Sequence, residues 1–304
     1  MTLVHPLLST EEHNMAHITL TYWYMLPVSM LVATTAMASG VEGATFFAPI
    51  FMLALRLSPE VAIGVGLITE VFGFASGLIA YARKRLIDYQ LGLRLLTITV
   101  PVALLGTWLA TDISPNILKG ILGVGLFAVA LSFLRAPDHD DMALLDDAIR
   151  ASIRPGKGET CLTTADGEEI RYTICNKNEG RLISGIGALF MGMISTGLGE
   201  MNGYFLLQRC RVPSKVAVAT SVLIVAVTAL AASAGHLIAF VQQGGEVLNT
   251  VFNLVIFTIP GVIIGGQLGS SVASHIPQNV LMRGLGILFV IVATLTLTEV
   301  LFLL

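Results

Sequence analysis

The feature that most restricts the fold of this chain is a series of apolar stretches that recur from Tyr22 to the end of the sequence. Each is about 20 residues long, which is enough for a helix to cross the hydrocarbon core of a membrane. Within a bilayer every backbone N–H and C=O group must find a partner inside the protein, and a helix provides one for each. Charged residues make up only 12% of the chain, against about 25% in soluble domains. We therefore predict an all-α polytopic membrane protein, and the net charge of −3 gives no indication of nucleic-acid binding.

Two glycine-rich interruptions break this apolar pattern, and each contains a carboxylate. The first runs from Gly40 to Thr45 and the second from Ser195 to Tyr204. A glycine weakens a helix interior by about 1 kcal/mol relative to alanine, and the backbone groups freed by a break must face protein or a wet cavity. Paired broken helices in the two halves of a transporter point to its binding site. We therefore expect the two interruptions to meet near the middle of the membrane, one approached from each face.

The two halves of the chain follow the same order. In each, a broken or re-entrant helical hairpin precedes three apolar segments. A proline and a glycine with the same spacing recur in the second of these, at Pro101 and Gly106 and again at Pro260 and Gly265. Such weak similarity is typical of transporter repeats, although apolar segments also resemble one another by chance. The predicted parts are an N-terminal tail, a first membrane repeat, an insert and a second membrane repeat: residues 1–19, 20–135, 136–180 and 181–304.

The distribution of Lys and Arg predicts the orientation in the membrane, because short cytoplasmic loops carry an excess of these residues. Arg83, Lys84 and Arg85 place their loop on the cytoplasmic side. Two further crossings place the insert 136–180 there as well, and both termini fall on the external side of the plasma or inner membrane. The first long helices of the two halves then run in opposite directions, so the topology of the repeats is inverted. The pattern leaves open whether there are six spans with two re-entrant hairpins or ten shorter crossings.

The cytoplasmic insert carries local structural signals. Asp166 and Gly167 lie between two β-prone runs, which predicts a β-hairpin, and residues 146–150 suggest a short surface helix. We expect a solvated connector, with a regulatory or partner-binding role as the alternative. The three cysteines, Cys161, Cys175 and Cys210, have neither an even count nor the spacing of a metal site, so no disulfide framework is predicted.

The order of these motifs resembles the sulfite exporter TauE/SafE family, also called the TSUP family of membrane transporters. That family has two related halves with glycine-rich motifs, which are similar to Gly40–Pro49 and Gly197–Met201 here, and a small-residue helix similar to Ala217–Ser221. The likeness covers nearly the whole chain except the tail and the insert. It implies transport of small sulfur-containing anions, such as sulfite or organosulfonates, without ATP hydrolysis. This chain has Glu42 and Glu200 where the family pattern has glycine.

An anion at the middle of this membrane domain would have to bind neutral donors, because the apolar runs have no Lys or Arg at that depth. Helix N-termini offer free N–H groups and about half a positive charge, and we expect such ends after Gly43 and after Gly203. The predicted substrate-binding residues are Gly43, Ala44, Thr45, Ser195, Thr196, Gly199, Asn202, Gly203, Thr220 and Ser221. For Thr220 and Ser221, helix–helix packing is an equally good explanation.

Three glutamates, Glu42, Glu200 and Glu70, lie in segments where a charge costs at least about 2.5–3.5 kcal/mol. Carboxyl groups in such places favour their neutral form, so we expect these residues to carry a coupling proton. Two ionised carboxylates would also repel an anionic substrate. The alternative is that Glu42 and Glu200 cap the neighbouring half-helix, where a negative charge is favourable.

A secondary transporter is therefore the predicted function, with a small anion, protons and membrane lipid as its partners and a homo-oligomer as a further expectation. The main alternative is an anion channel, or a membrane sensor that uses the insert. A third alternative is an intramembrane serine hydrolase that uses Ser195 and His236, but the sequence around Ser195 lacks a Gly-x-Ser-x-Gly pattern. We expect no enzymatic activity, no cofactor, no metal and no nucleic-acid partner.

Overall fold

The architecture of the protein is almost entirely helical. The computed structural model describes residues 19–39, 42–135, 159–273 and 278–303, with the backbone alone described for residues 37–39, 269–273, 278–281 and 303. Within these ranges, six helices are long and apolar enough to cross a membrane. The prediction of an all-α polytopic membrane protein is confirmed.

Among the described residues, each half contains five α-helices in the same order, and a short 3₁₀ helix (Leu20–Tyr22) precedes the first. In the first half these are α1 (Met25–Ser39), α2 (Ala44–Pro49, continued by the π-helix Ile50–Ala54), α3 (Pro59–Arg83), α4 (Tyr89–Asp112) and α5 (Pro115–Leu134). In the second half they are α6 (Lys177–Ile194), α7 (Leu198–Gly203, continued by the π-helix Tyr204–Arg209), α8 (Ser214–Gln243), α9 (Gly245–Ala273) and α10 (Gln278–Leu303). The helices α3 and α5 both have a serine at the N-cap and a proline at the first position, residues that are favoured at these places.

The two broken hairpins have short arms. The helix α1 has 15 residues and therefore extends about 22 Å at the usual rise per residue, which is less than the hydrocarbon thickness of about 30 Å. The helical segment 44–54 is shorter still. In the second half, α6 has 18 residues and is followed by the helical segment 198–209. These lengths fit six full crossings with two re-entrant hairpins better than ten crossings.

The two halves pack against each other through equivalent pairs of helices, as expected for two related repeats. The first helix of each hairpin lies against a long helix of the other half: α1 packs on α9, and α6 packs on α4. The helices α3 and α8 pack on each other, and so do α5 and α10. The repeated glycines occupy equivalent places in this arrangement, because Gly106 lies against the Leu189 carbonyl on α6 and Gly265 lies against the Met30 carbonyl on α1. This agreement supports the internal repeat that the sequence predicted.

The predicted β-hairpin in the insert is confirmed. Strands β1 (Glu159–Thr163) and β2 (Glu169–Thr173) pair antiparallel, and Gly167 in the turn between them has φ +84°. The side chain of Tyr172 is buried and its hydroxyl donates to Asp88 Oδ2 at 2.8 Å. Asp88 caps α4 by accepting from Leu91 N, and its own N–H donates to Thr220 Oγ1 on α8. The hairpin is therefore fixed to both halves. The surface helix expected at 146–150 lies outside the described residues.

The structure corrects the expectation for the cysteines. Cys175 and Cys210 form a disulfide with a Cα–Cα distance of 5.1 Å, while Cys161 is a free, exposed cysteine. The sequence did not indicate this pair because the two residues are 35 positions apart. They come together only when the second hairpin folds back on itself.

Candidate functional site

The tips of the two hairpins meet inside the protein, as predicted. Thr45 in α2 donates a hydrogen bond to Thr196 in the second break at 2.9 Å, and both side chains are buried. The second break owes its shape to two residues in the left-handed region: Ser195 has φ 59° and Gly197 has φ 111°. Glycine adopts this conformation without steric cost. The turn ends α6 and starts α7 only a few residues later.

Glu42 crosses from the first break to the second half. Its Oε1 accepts a hydrogen bond from the backbone N–H of Gly199, in the first turn of α7. Gly199 permits this approach because a Cβ atom there would overlap the carboxylate. A carboxylate is favourable at this place, where the helix presents unpaired N–H groups. The first half thus supplies a carboxyl group to the N-terminus of a helix of the second half.

The other two glutamates also lie at helix N-termini. Glu200 Oε2 accepts from Gly197 N at 3.1 Å, so Glu200 caps the helix to which it belongs. Glu70 on α3 is buried, and its carboxyl group faces the backbone amides of Gly43 and Ala44 at the start of α2. Neither oxygen of Glu70, nor Oε2 of Glu42, has a hydrogen-bond partner among the described residues. The three carboxyl groups are close enough that Glu70 and Glu200, when ionised, would repel an ionised Glu42.

A cavity of about 230 Å³ adjoins the hairpin tips. Glu42, Glu200 and Ser221 are its polar residues, and none of its described lining residues is Lys or Arg. The remaining lining residues come from six parts of the fold: Phe74, Phe133, Gly199, Gly203, Leu207, Ala217, Val218, Val222, Val225 and Met282. The cavity can therefore offer an anion one hydroxyl and backbone amides, in competition with two carboxyl groups.

Not all of the predicted binding residues lie at this cavity. Gly199, Gly203 and Ser221 line it, whereas Thr220 accepts from the Asp88 amide. Asn202 Oδ1 accepts from Ser184 Oγ at 2.8 Å, in the packing of α7 against α6. The start of the second half-helix was also predicted wrongly, after Gly203 instead of at Leu198.

The remaining predicted residues belong to the hairpin tips themselves. Gly43 is the N-cap of α2, and Ala44 and Thr45 form its first turn. Thr196 is bonded to Thr45, and Ser195 is the buried C-cap residue of α6, whose hydroxyl has no hydrogen-bond partner among the described residues. The structure therefore brings the two tips together, but it places only part of the set against the cavity.

The sequence prediction missed most of the cavity's apolar lining. On α8 the lining residues Ala217, Ser221 and Val225 are four positions apart, as residues on one helix face must be. The four-residue spacing of Ala217 and Val225 from Ser221 was a sequence signal that could have identified them as lining residues. No sequence signal identifies Phe74 and Phe133, because their approach to the cavity depends on how α3 and α5 pack.

His236 does not form a catalytic pair with Ser195. It is fully buried, and its Nε2 lies 3.1 Å from the carbonyl oxygen of Gly192. A serine nucleophile needs a base within hydrogen-bonding reach, and the described geometry provides none for Ser195. The arrangement therefore gives the hydrolase alternative no support.

Comparison with known proteins agrees with the architecture. The profile of the family described as sulfite exporter TauE/SafE matches residues 25–296. The probable membrane transporter protein YunE of Bacillus subtilis (strain 168) is 23% identical over 258 residues, which cover 84% of this chain and 88% of that protein. No solved structure matches the chain.

Proposed function

Because this chain belongs to the sulfite exporter TauE/SafE family, we propose that it is a proton-coupled secondary transporter of small anions, with sulfur-containing anions such as sulfite or organosulfonates as the substrate class. It is a multi-pass membrane protein, and its proposed location is the plasma or inner membrane. We propose that the protein moves the anion across the membrane without an enzymatic step.

The observation that carries the proposal is the position of Glu42. Its carboxylate is bonded to the Gly199 amide at the start of α7, which is the kind of place where a substrate anion would bind. The carboxylate thus competes with the substrate for the same donor. An ionised Glu42 keeps the position filled, whereas a protonated Glu42 has a neutral carboxyl group that an anion can displace.

Protonation also removes the repulsion between the carboxyl groups and the substrate. Glu42 and Glu200 both line the cavity, and in a site of low dielectric constant two negative charges would oppose an anion strongly. Binding of the anion is then favoured together with binding of a proton. Anion and proton would move in the same direction, and the gradients across the membrane would decide whether that is import or export.

The contact between the hairpin tips supports a carrier with alternating access. The hydrogen bond between Thr45 and Thr196 joins the tips of the two halves beside the cavity, so motion of one half against the other would change the cavity. A channel, in contrast, needs a continuous open path. The β-hairpin bonded to Asp88 lies on the proposed cytoplasmic side, where a sensor role would be an addition to transport.

The direct test is uptake by proteoliposomes that contain the purified full-length protein. Sulfite, methanesulfonate and acetate are offered with and without a gradient of pH, acidic on the side from which the anion is taken up. We expect saturable uptake of a sulfur-containing anion that rises several-fold with the gradient and falls to its basal rate when a protonophore is added.

The variants Glu42→Gln and Glu200→Gln test the coupling, and Glu246→Gln is the matched control because Glu246 is exposed at the start of α9. In the two cavity variants we expect uptake to lose its response to the pH gradient, whereas the control should behave like the wild type. Unchanged rates and pH profiles in both cavity variants would remove the coupling role. Flux that never saturates would favour a channel.

A further inference from the structure

The base of the second hairpin is closed by a covalent bond that the transport mechanism does not use. The Cys175–Cys210 disulfide joins the second residue before α6 to the residue that directly follows the helical segment 198–209. The two cysteines are 35 positions apart, and the residues between them contain α6, the second break and α7. Thr196 and Glu200 therefore lie inside the loop that the disulfide closes.

Two non-covalent contacts lie beside the disulfide. Arg209 Nε donates to Glu179 Oε1 at 2.6 Å, which joins the first turn of α6 to the same helical segment. The ring of Phe205 packs where a Cβ atom of Gly180 would otherwise lie. Breaking the disulfide would leave these two contacts in place, so the hairpin would loosen at its base without losing its fold.

The surroundings of the cysteine pair indicate that the bond is reversible in the cell. Lys177, Arg181, Arg209 and Arg211 lie close to the two cysteines in sequence, and such a concentration of positive charge is typical of the cytoplasmic side. Thiols are kept reduced in the cytoplasm, where disulfides are usually catalytic or redox-sensing rather than structural. Cys175 is partly exposed, so a small disulfide can reach it.

We propose that Cys175 and Cys210 form a reversible thiol–disulfide site that controls how far the second hairpin can move, and thereby the rate of transport. The oxidant is a low-molecular-weight disulfide of the glutathione type. The Cys175 thiolate attacks it, forms a mixed disulfide and releases one small thiol; the Cys210 thiolate then attacks the Cys175 sulfur and releases the second. Two electrons and two protons pass in total from the cysteine pair to the small disulfide, and reduction reverses both steps.

The first experiment counts thiols in the full-length protein and does not depend on transport. Protein in liposomes is equilibrated in buffers of different glutathione to glutathione-disulfide ratio, quenched with acid and labelled with a polyethylene-glycol maleimide. We expect three labelled cysteines in reducing buffer and one in oxidising buffer, with little of the two-thiol species. The variant Cys161→Ser should give two and none. Failure of Cys175 and Cys210 to become protected together at any ratio would overturn the inference.

The second experiment asks whether the bond restrains the hairpin. Amide hydrogen exchange of residues 195–209 is compared in oxidised and reduced wild-type protein, so that no substitution can disturb the fold. We expect exchange at least three-fold slower in the oxidised form. Equal exchange in both forms would show that the disulfide does not limit the hairpin and would refute the inference.

The consequence for transport rests on the proposed function, and it is measured separately. We expect the uptake rates of the oxidised and reduced forms to differ at least three-fold in the wild type and in Cys161→Ser, and to be equal in Cys175→Ser and Cys210→Ser. If no anion is transported at all, the proposed function fails, while thiol counting and hydrogen exchange still decide the redox site. If transport occurs at one rate in both redox states, the regulatory role is excluded.

Discussion

The contact between Glu42 and Gly199 makes Gly199→Ala an informative substitution. The added methyl group would occupy the space of the Glu42 carboxylate, while the helical backbone of α7 accepts alanine. The carboxylate is the far end of a flexible side chain, so it can move away, but it then loses its bond to the Gly199 amide. We expect the protein to fold with Glu42 displaced from α7.

The size of the effect follows from two opposing contributions. When Glu42 is ionised, its hydrogen bond from the Gly199 amide contributes about 1.5–3 kcal/mol to stability, and that contribution is lost. Replacing glycine by alanine inside a helix adds up to about 1 kcal/mol. The free energy of unfolding should therefore fall by about 0.5–2 kcal/mol. Uptake of the substrate anion should fall at least ten-fold, because the methyl group also blocks the amide that the anion would use.

The assay is reversible unfolding in mixed detergent micelles, combined with a double-mutant cycle on Glu42→Gln. A glutamine makes only a neutral hydrogen bond, worth about 0.5–1.5 kcal/mol, so Gly199→Ala should cost about 1 kcal/mol less in that background. Gly203→Ala is the matched control, since Gly203 lies in the same helical segment with right-handed backbone angles and nothing within 4 Å of an added Cβ atom. It should be neutral or slightly stabilising.

Strict additivity of Gly199→Ala and Glu42→Gln, to within about 0.3–0.5 kcal/mol, would refute this reasoning, because the methyl group would then act without involving the carboxylate. A loss of stability in Gly203→Ala equal to that in Gly199→Ala would point instead to a general intolerance of α7 for side chains.

Three further predictions concern contacts away from this one. Thr45→Val and Thr196→Val should each lower the free energy of unfolding by about 1 kcal/mol. The double variant should lose little more stability than either single variant, because both substitutions remove the same 2.9 Å hydrogen bond. Chemical denaturation measures the three free energies of unfolding. Gly265→Ala should destabilise the protein by about 1–3 kcal/mol by separating two packed helices, whereas Gly266→Ala, with nothing within 4 Å of its added Cβ atom, should not; the midpoints of thermal unfolding compare them. Burial and the neighbouring carboxylate raise the pKa of Tyr172. Its stabilising contribution is therefore complete below about pH 10, the pKa of an unfolded tyrosine, and is lost as the pH rises towards the higher pKa of the folded protein. Tyr172→Phe should show a smaller loss of stability above pH 10.

The sequence was most informative where a local rule decides the structure. Apolar runs long enough to cross a membrane predicted the long helices, since a helix within a bilayer pairs its own backbone groups. The Asp166–Gly167 turn similarly determined the β-hairpin. The position of each break followed from the inability of glycine-rich sequence to continue a helix inside hydrocarbon.

Features that depend on tertiary packing could not be predicted in the same way. The start of α7 at Leu198 depends on the left-handed angles of Ser195 and Gly197, which close the turn earlier than the apolar pattern suggested. The sequence left open whether Glu42 carries a coupling proton or caps the neighbouring half-helix, and it gave no sign that Glu42 contacts the Gly199 amide of the other half, because that contact depends on the meeting of the tips. The same folding back of a hairpin unites Cys175 with Cys210.

The glutamates of the two breaks make different contacts: Glu42 accepts a hydrogen bond from a helix of the opposite repeat, whereas Glu200 caps the helix to which it belongs. If the proposed carrier alternates between two related arrangements of its inverted repeats, these roles would be reversed in the second arrangement. In that arrangement Glu200 would turn toward the amides that begin α2, and Glu42 would return to its own side. The described structure would then be one end state of the transport cycle. The glutamate that contacts the helix of the opposite repeat would show to which face of the membrane the cavity opens.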